Sequence, residues 1–179
     1  QNGGAPWWQW SENQARYFSC IKDIFSYEES AAFWKFVQYI FFKQWFEIKK
    51  YANEKGIAVI GDMPFYVAMD SVDVWADLPL FEIDKKTLTA KKVAGVPPDY
   101  FSENGQLWGN PIYNWEIMKK DGYKWWLSRL GAALKTYDIV RIDHFRAFAS
   151  YWEVPADSET AKTGEWIKGP GMDLFKKVF

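Results

Sequence analysis

The 179-residue sequence holds a single cysteine and a single histidine. One cysteine, Cys20, excludes an internal disulfide and suits a reducing compartment. With His144 as the only histidine, no His/Cys zinc site can be assembled from these residues. An excess of one charge is also missing: Lys and Arg number 22 against 23 Asp and Glu, for a net charge of -1. That leaves no basic field to recruit nucleic acid and no polybasic stretch to hold a membrane surface. Long apolar runs are absent too. The greasiest stretch, "FWKFVQYIFFKQWF", is interrupted by Lys35, Gln38 and Lys43, so it is too short and too polar to span a bilayer. Neither a signal-peptide pattern nor an initiator methionine opens the chain. The start "QNGGAPWW" reads as the interior of a longer protein, with the cytoplasm as the expected location.

What is abundant is aromatic side chain, 20% of residues with 12 tryptophans, in a chain that is 49% hydrophobic and 25% charged. The balance is that of a globular domain. Tryptophan and tyrosine offer flat apolar faces with a polar handle, which suits sugar rings as well as core packing.

Ser26 and Glu29 have capping-box spacing. Behind them Phe33, Val37, Ile40, Phe41, Trp45, Ile48 and Ala52 recur at helical period, and Gly56 follows as a C′ residue. One long amphipathic helix is predicted. A short β-type run at Ile57–Ile60 comes next, and Pro64 bars its continuation as a central strand. From Asp70 to Pro111 no helical period emerges; Pro79, Pro97, Pro98, Gly95, Gly105 and Gly109 mark a long loop, with a short hairpin around Leu80–Val93. Loops of this length inside compact domains are usually functional or disordered, and the aromatics on this one favour function. Helical patterning resumes at Trp115–Lys120 and again after Asp121, and "YDIVRIDHF" reads as a second buried strand. A strand, helices and a second strand make a βαβ unit with a parallel pair, hence an α/β fold. Two clear strands cannot close a (β/α)8 barrel, which needs roughly 200 residues or more.

Chemistry concentrates at the strand ends. Side chains alternate along a strand, so Arg141 and Asp143 share a face. In parallel sheets the carboxyl ends of strands border the ligand crevice. Asp62 occupies the equivalent position on the earlier strand, just past Ile60 and Gly61. A neighbouring Arg favours the ionised carboxylate, which suits nucleophilic attack better than proton donation. A salt bridge that plugs the strand ends is equally compatible with the spacing.

The blocks "IGDMPFYVAMDSVDVWA", "VAGVPPDYFSENGQLWGNP", "DIVRIDHFRAFASYWEVPA" and "GEWIKGPG" resemble, in this order, the amylomaltase (4-α-glucanotransferase, disproportionating enzyme) family of the α-amylase clan. The preceding "FVQYIFFKQWFEIKKYA" is similar to the family's helix before the first block. The resemblance implies part of a TIM barrel: strands three and four, with 66–112 as an inserted substrate-binding region. It implies transfer of α-1,4-glucan segments between maltooligosaccharides by a retaining double displacement that needs no cofactor or metal. Under it Asp143 matches the nucleophile, Arg141 the arginine that keeps it ionised, and Asp62 a substrate-binding aspartate. His144 lies beside the donor sugar, and Tyr100, Ser102, Gln106 and Trp108 are contacts on a mobile acceptor-side loop. The family's acid/base glutamate and third carboxylate match no segment of this sequence, and Glu153 is expected to pack rather than to act as the acid. The remainder of the barrel is expected in a longer parent chain. Ala147 stands where the family usually has glycine. An α-glucan hydrolase and a non-catalytic glucan-binding piece are the competing readings.

Overall fold

A computed structural model describes residues 2–17 and 28–178. Ser26 of the expected capping box, and Cys20, lie outside the described residues. The predicted long helix is present as α2 (Glu28–Glu54), after a short α1 (Glu12–Ala15). It ends in a Schellman motif: Gly56 has φ +74°, its N–H reaches the Asn53 carbonyl, and the Ile57 N–H reaches that of Ala52. Glycine takes this left-handed position without a Cβ penalty, and the two bonds satisfy carbonyls that the helix end leaves open.

Strand β1 covers Ile60–Met63, later than the expected Ile57–Ile60 and running up to Pro64. It pairs in parallel with β4 (Ile139–Ile142), in the register Ile60↔Ile139 to Met63↔Ile142. The parallel pair and the α/β class therefore stand. Between them run α3 (Val72–Ala76), β2 (Lys92–Val96), β3 (Gln106–Pro111), α4 (Trp115–Lys120) and α5 (Lys124–Thr136). After β4 come β5 (Ser150–Pro155), β6 (Glu165–Lys168) and α6 (Met172–Val178).

The expected long loop is more ordered than its sequence indicates. Its hairpin is formed by β2 and β3, and only an isolated bridge, Ile83↔Ala90, falls within the expected Leu80–Val93. Strands β2 and β3 join β5 and β6 in a four-stranded antiparallel sheet of order β3-β2-β5-β6. Glycine and proline at Gly95, Gly109 and Pro111 dilute the local β signal, and the partner that stabilises β2 is the distant β5.

The main core is aromatic. Phe65, Tyr113, Trp126 and Phe148 are buried together, with Leu78, Ile112, Met118 and Leu174 around them. Trp126 meets Phe65, Tyr113 and Phe148 at centroid distances of 5.5, 5.5 and 5.1 Å. Gly61 and Met63 point from β1 into this packed side, and a Cβ on Gly61 would fall 2.1 Å from the Tyr137 ring, so only glycine fits there. Ile60, Asp62, Ile139 and Arg141 lie on the opposite, exposed face of the pair. Much of α2 is likewise open, with Phe33, Trp34, Tyr39 and Tyr51 exposed. The helix is tied to the strands by Asp138, which accepts hydrogen bonds from Val59 N–H and Asn53 Nδ2 (both 2.8 Å) and lies 3.2 Å from Lys49 Nζ. No described helix is long and apolar enough to cross a membrane.

Candidate active site

The site is built where β1 and β4 end. Alternation on paired strands brings Asp62 opposite Arg141 in register, on the exposed face. The guanidinium grips Asp62 in a fork, Nε to Oδ1 at 3.0 Å and Nη2 to Oδ2 at 2.8 Å. The same Nη2 lies 3.5 Å from Asp143 Oδ1. Sequence reasoning made Asp143 the main beneficiary of Arg141, whereas the closer, bidentate contact goes to Asp62. Planar two-point pairing of this kind is the strong form of an arginine–carboxylate bond. Hydrogen bonding to Asp62, ahead of the charge of Asp143, raises the Arg141 pKa above its ordinary range. Asp143 is itself held by a backbone bond from its N–H to the Met63 carbonyl (2.9 Å), so the two strand ends are laced together at the site.

The chain then turns sharply. His144 has φ +48° and ψ 39°, a left-handed conformation rare outside glycine, asparagine, aspartate and histidine. This turn sends the imidazole under Trp108 of β3, edge to face at 4.9 Å, with Tyr66 at 6.1 Å and Phe65 at 6.4 Å. Burial lowers the His144 pKa; the Asp143 charge opposes the shift and Arg146 adds to it. Ala147 is fully buried in the short 3-10 turn that follows, and its φ is not positive, so its methyl group is accommodated without a special backbone.

The β2–β3 hairpin brings part of the expected acceptor loop to this group. Trp108 touches His144, and Gln106 Oε1 accepts a hydrogen bond from Trp108 Nε1 (3.0 Å). Asn110 secures the hairpin by donating to the Val67 carbonyl (2.9 Å). Tyr100 and Ser102 stay at the tip. Tyr100 is 97% exposed, and the Ser102 hydroxyl donates to the Gly105 carbonyl (2.7 Å), closing the turn. Glu153, expected to pack, is buried on β5 and ion-paired to Lys92.

Two contributors escaped the sequence reading. Tyr66 packs beside both Trp108 and His144, with a buried hydroxyl that has no hydrogen-bond partner among the described residues. Its one sequence signal was membership of the block that begins at Asp62. Arg129 reaches from α5 to donate to the carbonyls of Pro64 (2.7 Å) and Phe65 (3.1 Å) just past β1. An arginine among Trp125, Trp126 and Leu130 on an otherwise apolar helix face was the available clue. A cleft of about 810 Å³ lies elsewhere, between Glu82–Lys85, the start of α4 and strands β5 and β6, and contains none of Asp62, Arg141, Asp143 or His144. Among the described residues no group of three or more His, Cys, Asp or Glu is placed to hold a metal ion.

Comparison with known proteins bears on this arrangement. The family model described as 4-alpha-glucanotransferase matches residues 1–179. A 4-alpha-glucanotransferase of Streptococcus pneumoniae serotype 4 is 53% identical over 178 residues, covering 96% of this chain and 34% of the relative. One from Aquifex aeolicus is 46% identical, covering 98% of this chain and 36% of the relative. Among solved structures, the amylomaltase from Streptococcus agalactiae in complex with acarbose superposes with a TM-score of 0.89 at 42% identity, over 99% of this chain and 36% of that one. The chain thus spans about a third of the length of the curated relatives it matches. With a family match from end to end and an α/β architecture shared with an amylomaltase, the chain belongs to the 4-alpha-glucanotransferase family.

Proposed function

We propose that these residues supply the nucleophile and half of the substrate cradle of an enzyme that moves α-1,4-glucan segments between maltooligosaccharides. The observation that carries this reading is the Asp62–Arg141–Asp143 group at the carboxyl ends of two paired parallel strands, in a chain of this family. Asp143 attacks the anomeric carbon as the α-1,4 glycosidic C–O bond breaks, forming a covalent glycosyl-enzyme, and the departing 4-oxygen takes a proton from the acid/base carboxyl group. The 4-hydroxyl of a second sugar, giving its proton to that same group, then displaces Asp143 with net retention. Arg141 balances the negative charge of both aspartates, Asp62 binds the donor sugar, and His144 lines the same subsite. The acid/base carboxyl group, expected about 5 Å from the nucleophile in a retaining enzyme, lies outside these residues. The 179 residues alone therefore do not turn over.

In this reading β1 and β4 are the third and fourth strands of a (β/α)8 barrel. The exposed Ile60 and Ile139 face the barrel interior, and residues 66–112 form its inserted substrate-binding region. That the Streptococcus agalactiae relative was solved in complex with acarbose supports an oligosaccharide as the ligand. Trp108 over His144 forms an aromatic wall, and Tyr100, Ser102 and Gln106 contact the acceptor sugar from the hairpin. Exclusion of water by that wall favours transfer over hydrolysis.

Incubation of the full natural chain carrying these residues with maltotriose tests the assignment. Transfer yields glucose plus longer oligosaccharides with little change in reducing ends, and Asp143→Asn abolishes it. A rise in reducing ends with nothing longer formed makes the enzyme a hydrolase. Transfer that survives Asp143→Asn removes the nucleophile assignment.

A further inference from the structure

The loop that leaves β1 has an unusual support. Arg129 on α5 sits at the corner of two perpendicular indoles, its Cζ 5.2 Å from the Trp125 ring centre and 5.3 Å from that of Trp126. From there its two terminal nitrogens reach the carbonyls of Pro64 and Phe65. The Phe65 carbonyl also accepts from the Tyr113 hydroxyl at 2.6 Å, and that hydroxyl lies 3.5 Å from Arg129. Carbonyls just past a strand end have no ladder partner, and when part-buried they need a donor. A rigid fork can serve two of them at once, which an ammonium group on a flexible stem cannot do. The next residue is Tyr66, whose ring stacks on Tyr113 at 6.1 Å and meets both His144 (6.1 Å) and Trp108 (6.2 Å).

We propose that Arg129 is a positioning residue for the donor subsite. It fixes Pro64 and Phe65 so that Tyr66 holds His144 and Trp108 in place, and it does so without touching the reacting atoms. The inference rests on the site assignment above. It separates binding from chemistry, because Asp143 is anchored independently through its N–H to the Met63 carbonyl inside β1. Loss of the fork loosens the groups that contact sugar and leaves the nucleophile where it is. The groups facing His144 are Asp143 and Arg146 from its own segment and the rings of Phe65, Tyr66 and Trp108 from the other two elements. A loosened Tyr66 therefore admits water to the imidazole.

The test uses Arg129→Lys in the full natural chain, with maltotriose kinetics and the His144 proton resonance followed against pH. The expected result is a KM raised about five- to tenfold, a kcat within twofold of wild type, and a His144 titration moved upward toward its ordinary range. Tyr113→Phe removes the hydroxyl's bond to the Phe65 carbonyl and its 3.5 Å contact with Arg129 while keeping the ring. It should shift KM and His144 in the same directions by about twofold, and it serves if Arg129→Lys folds poorly, an unchanged KM and His144 titration then counting against the inference. An unchanged KM and His144 titration in folded Arg129→Lys overturns the inference, as does a kcat that falls with KM unchanged. Asp143→Asn is measured alongside. If it is inactive while Arg129→Lys is normal, only the positioning role fails; if it retains transfer, the site assignment fails.

Discussion

The Asp62–Arg141–Asp143 group and the Glu153–Lys92 pair use the same chemistry in opposite surroundings. In the first, every side chain is roughly 60% exposed, on the open face of β1 and β4. In the second, the Glu153 side chain is 7% exposed, on β5 against β2. Exposed ion pairs contribute little to folding because water and salt screen them. A buried carboxylate that loses its partner is costly, because its desolvation is no longer offset. The comparison teaches that charge density alone does not mark a site here. What distinguishes the strand-end group is a bidentate fork at the carboxyl ends of two parallel strands, where folds of this class border their ligand crevice.

Substitutions can break this contrast. The largest effect is expected at the open group. Arg141→Met should lower glucan transfer by about 100- to 1,000-fold, the scale seen when one preorganised donor is removed from an active site; transfer within about tenfold of wild type would make the group structural. Lys92→Met should do the reverse, destabilising by about 1–3 kcal/mol in denaturant titration through the stranded Glu153, with kcat preserved in the folded enzyme. Asp138 sharpens the contrast by pH. The Val59 N–H, then Asn53 and Lys49, hold its carboxyl below the usual aspartate range. Its stabilising contribution is therefore complete above the unfolded-state value and is lost as pH falls through the lower folded value. Asp138→Asn should flatten the acid limb of the stability profile, and an unaltered limb would deny Asp138 that role. The smallest effect is expected at Tyr66. Removing the hydroxyl, unpartnered among the described residues, in Tyr66→Phe should change stability by no more than about 1 kcal/mol, toward greater stability, with transfer retained; a clear loss would reveal a bond to that hydroxyl in the working enzyme.

The same two regions explain what the sequence could tell. The parallel pair was legible because "IVRID" and "AVIGD" carry apolar runs that end in charge, and period-two alternation puts Arg141 and Asp143 on one face. Helix α2 was legible from its long period and Gly56. The four-stranded sheet was not, since Lys92–Val96 pairs with Ser150–Pro155 across most of the intervening fold and no local window records that partnership. The tightness of the Asp62–Arg141 fork was also hidden, because spacing sets the face but not the rotamer. Arg129 stayed out of view for a related reason: its partners are backbone carbonyls, which leave no residue signature. The amylomaltase resemblance supplied roles that spacing left open, and Asp143 remains the point where those roles meet the geometry.

The most direct measurement is covalent trapping. The full natural chain would be incubated with an α-glycosyl fluoride that forms the glycosyl-enzyme quickly and releases it slowly, then digested and mapped by mass spectrometry. One added glycosyl group is expected on the peptide containing Asp143, and none in Asp143→Asn. A glycosyl group on any other residue, or none while transfer proceeds, would contradict it.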